Sequence, residues 1–175
     1  MLQMTIKDIL IKARQDRRGI RQELYHIYLI QEEETVFYVG KASNPENRLL
    51  AHLGFDWHCD PSSIGRFVID HAPASGTWLF LQYTVEECIP FVDQYRVMLP
   101  ESSQVLYRMG GDKNRCDVDF AEEALIKIHR PHFNRAMNPN PCPLPEKYRA
   151  KEIMGDENPY AAILTKRFGI KRKAR

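Results

Sequence analysis

The sequence has few of the features that mark a secreted or membrane-bound protein. Cysteine is scarce, with four residues in 175 and no CxxC pair, so neither a disulfide framework nor a paired-thiol zinc site is indicated. No apolar run approaches the ~18 residues of a membrane-spanning helix, and the first 11 residues lack the apolar core of a signal peptide. We therefore expect a protein that is not secreted and that lies in the cytoplasm or on the nucleoid.

Acidic residues are absent from the last ten positions, where six lysines and arginines stand. Residues 166–175 carry a net charge of +6 and residues 1–21 a net charge of +4, whereas residues 22–165 carry −8, which leaves a formal total of +2. A surface that contacts a polyanion is therefore expected at the two ends of the chain. A solvated, frayed terminus is the alternative interpretation of the basic tail.

The hydrophobic pattern predicts a small α+β domain. Runs rich in β-branched and aromatic residues predict three strands, over 24–30, 35–39 and 77–84, the first two joined as a hairpin. Helical spacing and capping residues predict five helices, over 5–18, 44–53, 62–71, 85–99 with a break at Pro90, and 119–129. A proline-rich strap over 139–145 and a helical stretch over about 146–168 follow. We expect a small three-stranded antiparallel sheet flanked by helices.

Two tyrosines stand on the predicted hairpin. Tyr28 shares a strand face with His26 and Ile30, because side chains alternate along a strand. With a five-residue turn over 31–35, Tyr28 lies directly opposite Tyr38 and the two phenols project together, whereas a four-residue turn separates them. Tyrosine is also common in strands for structural reasons, so the pair alone does not indicate a site.

Cationic residues follow the hairpin. Gly40 and Lys41 lead into a helix on which Arg48 and His52, four residues apart, share one face. A guanidinium suits a phosphate oxygen, and an imidazole accepts or relays a proton. Such residues alone are more typical of a solvated helix face.

Two further polar residues stand in and just beyond the last predicted α-helix before the strap. Glu122 lies three residues after Asp119, a spacing that also fits a helix capping box. Asn134 follows the helix end, where a side-chain amide commonly satisfies a turn. The residues alone leave both interpretations open.

In this order the residues resemble the motifs of the GIY-YIG nuclease superfamily. The matching segments are HIY at 26–28, FYVGKASNPENRLLAH at 37–52 and EEALIKIHRPHFN at 122–134. The match is close to the repair nucleases of that superfamily, in which a YVGKA strand end precedes an arginine-bearing helix. The resemblance covers about residues 24–134.

Two features depart from the family pattern. His26 replaces the first glycine of the family name, and Glu122 follows His52 by 70 residues, which implies an insertion near 89–118. Glu86 and Glu87 stand where the glutamate helix would otherwise begin. We prefer Glu122, because it alone is followed by the Leu-Ile and Pro-x-x-Asn companions.

The resemblance implies three parts: an N-terminal helical extension over 1–22, a nuclease domain over 23–135, and a proline-rich strap with a basic C-terminal helix or tail over 136–175. It further implies a metal-dependent endonuclease that hydrolyses DNA phosphodiester bonds.

The implied metal is one Mg²⁺ or Mn²⁺ ion per active site, held by Glu122, since hard cations prefer carboxylate and water oxygens. Tyr28 would be the general base, with its pKa lowered by Lys41, Arg48 and the metal. Arg48 would stabilise the charge of the transition state.

The remaining implied roles are supporting ones. Tyr38 and His52 would orient water or phosphate, with His52 as the fallback base, and Asn134 would support the site. Seven cations are expected to contact nucleic acid: Lys41, Arg48, Lys166, Arg167, Lys171, Arg172 and Lys173.

Double-stranded DNA is the expected partner, and two alternative functions stay open. In the first alternative, the chain is a nuclease subunit directed by a partner protein. In the second, it is a catalytically silent nucleic-acid-binding module. A homodimer would supply the two active sites that symmetric double-strand cutting needs.

Overall fold

The sheet has four antiparallel strands rather than the three predicted. The computed structural model describes residues 1–15, 26–55, 60–101, 115–149 and 158–163. Its strands are β1 Leu2–Thr5, β2 Ile27–Glu32, β3 Thr35–Lys41 and β4 Leu79–Tyr83, in the order β1-β4-β2-β3. The prediction missed β1 because four residues of mixed character directly before a helix give no strand pattern.

The five longer helices of the described residues correspond to the five predicted. They are α1 Ile6–Gln15, α2 Pro45–His52, α3 Ser63–Asp70, α4 Ile89–Val97 and α5 Arg115–His129, with 3-10 turns at Ala74–Thr77, Glu86–Cys88 and Glu146–Tyr148. The predicted break at Pro90 falls at the start of α4, where a proline is tolerated because the first turn needs no N–H donor.

Helix α5 begins at Arg115, four residues before the predicted start at Asp119. Aspartate favours the cap position, which is why the pattern suggested a helix start there. Asp119 and Glu122 instead lie inside the helix, so the capping-box interpretation of Glu122 is wrong. Most of the helical stretch predicted over 146–168 lies outside the described residues.

A β-bulge decides which face of the sheet Tyr38 occupies. A two-residue turn joins β2 to β3, and the register shifts by one residue after Ile30. Ile30 therefore pairs with Tyr38, and Phe37 is the extra residue. Without the bulge, Ile30 would pair with Phe37 and Tyr38 would project from the face opposite to Tyr28.

The sheet is covered on both faces. One face, which includes Tyr28 and Phe80, packs against α1, α2 and α3. The other face, which includes Leu29 and Leu81, packs against α4 and α5. Strand β1 and the buried side of α1 belong to the same sheet and core as the hairpin.

The short turn that follows the proline-rich strap packs on the layer formed by α1, α2 and α3. The Tyr148 hydroxyl donates to the Glu32 carboxylate at the end of β2, and the Lys147 ammonium lies 2.7 Å from the same carboxylate. The Tyr148 ring packs edge-on against Phe37 and Phe67. Tyr148 therefore covers the aromatic core beside the hairpin turn.

The substitution Gly65→Ala should destabilise the protein, because α3 lies directly on the end of α2. A Cβ atom on Gly65 would lie 1.6 Å from the His52 carbonyl oxygen, so the backbone of one helix must shift. We expect the free energy of unfolding in urea to fall by about 2–3 kcal/mol. Gly76→Ala is the control, since its Cβ would meet no atom closer than 3.5 Å. Equal stabilities of the two variants would contradict this packing.

Candidate active site

The two hairpin tyrosines project from one face of the sheet, but they are not directly opposite each other. Tyr28 pairs with Gly40 and Tyr38 pairs with Ile30, so the tyrosines are diagonal neighbours with ring centroids 6.0 Å apart. The sequence left open a five-residue turn, which would place the phenols directly opposite each other, and a four-residue turn, which would separate them. Neither turn occurs: the turn has two residues, and the bulge after Ile30 places the phenols on one face.

Gly40 leaves the space that the phenol of Tyr28 occupies. A Cβ atom at this position would lie 2.5 Å from both Cζ and Oη of Tyr28 and 2.7 Å from Cε1 of Tyr38. Any side chain here would therefore displace the hydroxyl group. The glycine of the YVGKA segment is required by this close approach rather than by the conformation of the strand.

Tyr28 is fully buried, and its hydroxyl group meets His52 at the end of α2. The Tyr28 Oη atom lies 2.8 Å from His52 Nε2. On the other side of the ring, Nδ1 lies 2.7 Å from the Ser62 hydroxyl oxygen. These three side chains form a continuous chain of hydrogen bonds from β2 through α2 to the start of α3.

Helix α2 presents Arg48 beside His52, as the four-residue spacing predicted. The helix begins at Asn44, whose side chain accepts a hydrogen bond from the Asn47 N–H, and Pro45 occupies the first turn. Arg48 is exposed, and it is near enough to Tyr28 for its positive charge to act on the phenol.

Burial raises the pKa of Tyr28 well above its ordinary value, and the neighbouring Tyr38 raises it further. The charge of Arg48 and its hydrogen bond lower the pKa, but by less than burial raises it. The expected net lowering by surrounding cations is therefore not found among the described residues. The phenol of Tyr28 holds its proton, which makes it a hydrogen-bond donor in this state.

Burial also lowers the pKa of His52 to about 4, and the charge of Arg48 acts in the same direction. The imidazole is therefore neutral near neutral pH and has one nitrogen free to accept a proton. A neutral histidine in contact with a protonated phenol is the arrangement that proton transfer between them requires.

Lys41 joins the end of β3 to α5 through two carboxylates. Its Nζ atom lies 2.6 Å from Asp119 Oδ1 and 2.9 Å from Glu122 Oε2. These two hydrogen bonds raise the pKa of Lys41. Burial raises the pKa of Tyr38, and the charge of the nearby Glu122 carboxylate raises it further.

The glutamates that follow β4 lie in a different environment. Glu87 accepts a hydrogen bond from the Thr84 N–H and pairs with the amino group of Met1. Of the acidic residues considered from the sequence, Glu122 is the one that the fold brings beside Lys41 and Tyr38.

Asn134 closes the exposed edge of β3. Its Oδ1 atom accepts from the Val39 N–H at 2.8 Å, and its Nδ2 atom donates to the Val39 carbonyl oxygen at 2.7 Å. The Phe133 N–H donates to the Phe37 carbonyl oxygen at 3.1 Å, next along the same edge. Asn134 therefore attaches the segment after α5 to the strand that carries Tyr38.

The carboxylates near Lys41 fit a magnesium-type site of the simplest kind, in which the protein supplies only one or two ligands. The described part of the chain contains no cluster of three or more His, Cys, Asp or Glu residues that could hold a metal ion. Mg²⁺ is commonly bound by one or two carboxylates together with waters and substrate phosphate oxygens. Glu122, with Asp119 one helical turn away, satisfies that requirement.

The fold thus brings together six of the predicted site residues, namely Tyr28, Tyr38, Lys41, Arg48, His52 and Glu122, with Asn134 at the adjoining edge. The five predicted tail cations, Lys166, Arg167, Lys171, Arg172 and Lys173, lie outside the described residues. Sequence reasoning did not assign site roles to Ser62 and Asp119. Asp119 carried a signal as the residue one turn before Glu122, whereas nothing in the sequence relates Ser62 to His52.

Comparisons with known proteins add no family assignment. A scan against protein-family models gave no match, and neither the search of curated proteins nor the search of solved structures found one. Within the described residues, no helix is both long and apolar enough to cross a membrane.

The stability of the protein should depend on pH through His52. The unfolded histidine takes up a proton near its ordinary pKa of 6.5, whereas the folded one does so only near 4. Between these values the unfolded state binds more protons, so the free energy of unfolding falls as the pH falls. We expect the contribution of His52 to be about 2–3 kcal/mol across this window, measured by urea unfolding at each pH.

His52→Gln removes the titration and keeps a polar side chain of similar size. The difference in unfolding free energy between wild type and this variant therefore isolates His52 from the other titrating groups. A difference that stays constant from pH 7 to pH 4 would show that the imidazole is not held neutral.

Proposed function

We propose that this protein is a metal-dependent endonuclease that hydrolyses DNA phosphodiester bonds. The observation that carries the proposal is the hydrogen bond of 2.8 Å between the buried Tyr28 hydroxyl and His52, and the charge of Arg48 acts on the same phenol. A structural tyrosine is satisfied by one neutral partner. A phenol in contact with a neutral imidazole has an acceptor for its proton, and the charge of Arg48 opposes the effect of burial on the phenol.

Tyr28 is the general base toward water, and His52 accepts the proton that Tyr28 gives up. As the phenolic proton passes to Nε2, the Tyr28 oxygen takes a proton from water, and the resulting hydroxide attacks the phosphorus. The P–O bond to the leaving oxygen breaks, and that oxygen is protonated from solvent. Proton transfer of this kind typically contributes about 10²–10⁴-fold to the rate.

Arg48 neutralises the charge that develops on the phosphoryl oxygens, because its guanidinium is a permanent cation near Tyr28. Tyr38 is the second phenol beside Tyr28 and orients the water or the phosphate.

Glu122 is the residue that holds the metal, with Asp119 as a neighbouring carboxylate. A bound Mg²⁺ or Mn²⁺ ion would supply charge neutralisation for the phosphate and the leaving oxygen. Lys41 contacts both carboxylates in the protein alone, and its ammonium balances their charge. With the carboxylates holding a metal, Lys41 would be available to contact a phosphate oxygen.

Cleavage of supercoiled plasmid in the presence of Mg²⁺ tests the proposal. We expect wild type to nick or cut, and we expect Glu122→Gln and Tyr28→Phe each to reduce the rate by about 100-fold or more, since each removes a group that acts on the reacting atoms. DNA binding, measured by fluorescence anisotropy, should survive both changes. Glu123→Gln is the matched control, because its carboxylate lies against Tyr95.

Three outcomes separate the alternatives. Normal cleavage by Glu122→Gln contradicts the metal assignment. Tight DNA binding without cleavage of any DNA or RNA substrate favours a silent binding module. Weak, indiscriminate nicking by the isolated chain favours a nuclease subunit that a protein partner directs, whereas discrete products favour a stand-alone enzyme or a homodimer.

The basic C-terminal tail should contribute phosphate contacts. Truncation after Leu164 removes six cations, including Lys166, Arg167 and Lys171. We expect weaker DNA binding and a smaller slope of log Kd against log salt, because each lost phosphate contact removes about 0.9 from the slope. An unchanged slope would show that the tail is solvated and makes no contact.

A further inference from the structure

His52 is held at both ring nitrogens, and only one of them carries a proton. Nε2 faces the Tyr28 hydroxyl at 2.8 Å and Nδ1 faces the Ser62 hydroxyl at 2.7 Å, while the residue is only 6% exposed. A neutral imidazole has one N–H donor and one bare acceptor. The position of that single proton therefore decides whether Tyr28 donates to His52 or accepts from it.

The surroundings of Tyr28 favour a bare Nε2 atom. The positive charge of Arg48 acts on the Tyr28 hydroxyl, and a cation attracts the oxygen lone pairs and repels the phenolic proton, so that proton turns toward an acceptor. The acceptors within reach are the phenol oxygen of Tyr38 and Nε2 of His52. An imidazole nitrogen is the stronger base of the two, and so it takes the hydrogen bond.

Ser62 is held in position by hydrogen bonds other than the one with the imidazole. Its hydroxyl oxygen caps α3 by accepting from the Gly65 N–H at 3.2 Å. Its own N–H donates to the His52 carbonyl oxygen at 3.0 Å, and Gly65 lies against that same oxygen. The serine oxygen therefore stays beside Nδ1 and has a second lone pair to offer it.

We propose that Ser62 is a positioning residue for His52: it accepts the Nδ1 proton and so presents the Nε2 lone pair to the phenol of Tyr28. The catalytic consequence rests on the function proposed above, whereas the state of the imidazole does not. In the reaction, the Tyr28 proton moves to Nε2, and the imidazolium then donates one hydrogen bond to the Tyr28 oxygen and one to the Ser62 oxygen. Ser62 makes this possible without touching the substrate.

The first test reads the imidazole directly and needs no substrate. A long-range proton–nitrogen correlation spectrum of the ¹⁵N-labelled protein distinguishes the two tautomers, and the signals that disappear in His52→Gln identify this ring. We expect wild type to have a protonated Nδ1 and a bare Nε2. A protonated Nε2 in wild type would overturn the proposal.

The second test uses three substitutions. Ser62→Gly removes the hydroxyl group while leaving a residue that is tolerated at a helix N-cap. We expect it to shift His52 toward the other tautomer or a mixture, and to lower kcat by about 10–100-fold with little change in KM. Ser62→Thr keeps the hydroxyl group and should restore both readouts. Thr5→Gly is the matched control, because it removes the hydroxyl that caps α1 and should leave both unchanged.

The outcomes distinguish this inference from the proposed function. A wild-type spectrum with bare Nε2 and a tautomer shift in Ser62→Gly, in a chain that cuts no nucleic acid, supports Ser62 and contradicts the nuclease. Cleavage that depends on Tyr28 but is unaffected by Ser62→Gly, with an unchanged tautomer, supports the nuclease and overturns the role of Ser62.

Discussion

The β-bulge between β2 and β3 is the constraint on which the candidate site depends. Because side chains alternate along a strand, one inserted residue transfers every later side chain to the opposite face. Phe37 is that residue, and it places Tyr38 on the face of Tyr28. The same register brings Gly40 opposite Tyr28, where the absence of a side chain leaves room for the phenol.

Burial determines what the grouped residues can do. Tyr28 and His52 are removed from water, so the Tyr28 phenol keeps its proton and the His52 imidazole stays neutral. Their hydrogen bond is a transfer path between two neutral groups, which costs less to bury than a charged pair. Charge is confined to the margins of the site, where Arg48 is exposed and Lys41 balances two carboxylates.

Elements that depend on interactions between residues close in sequence could be predicted, whereas those that depend on distant residues could not. Helices α2 and α3 were predictable from Asn44 and Ser62, because capping acts within three residues. Strand β1 was not, because its partner β4 lies more than 70 residues away. The early start of α5 was missed because Asp119 imitates a cap although it lies in the helix interior.

The sequence predicted which residues form the candidate site better than it predicted their protonation states and contacts. The motif spacing selected Tyr28, Arg48 and His52, which the fold brings into contact. The sequence could not show that burial outweighs the nearby cation at Tyr28, since burial depends on the packing of the whole layer. It also could not relate Ser62 to His52, because their side chains meet only where α3 lies on the end of α2.

The paired hydrogen bonds of Asn134 have a consequence for how this architecture tolerates change. They fix the end of α5 to β3 across 95 residues of sequence, while Lys41 holds the middle of the same helix. The distance between the phenols and Glu122 is therefore set by these two attachments rather than by the length of chain between α4 and α5. A segment of different length there would therefore leave Glu122 at the same distance from the phenols.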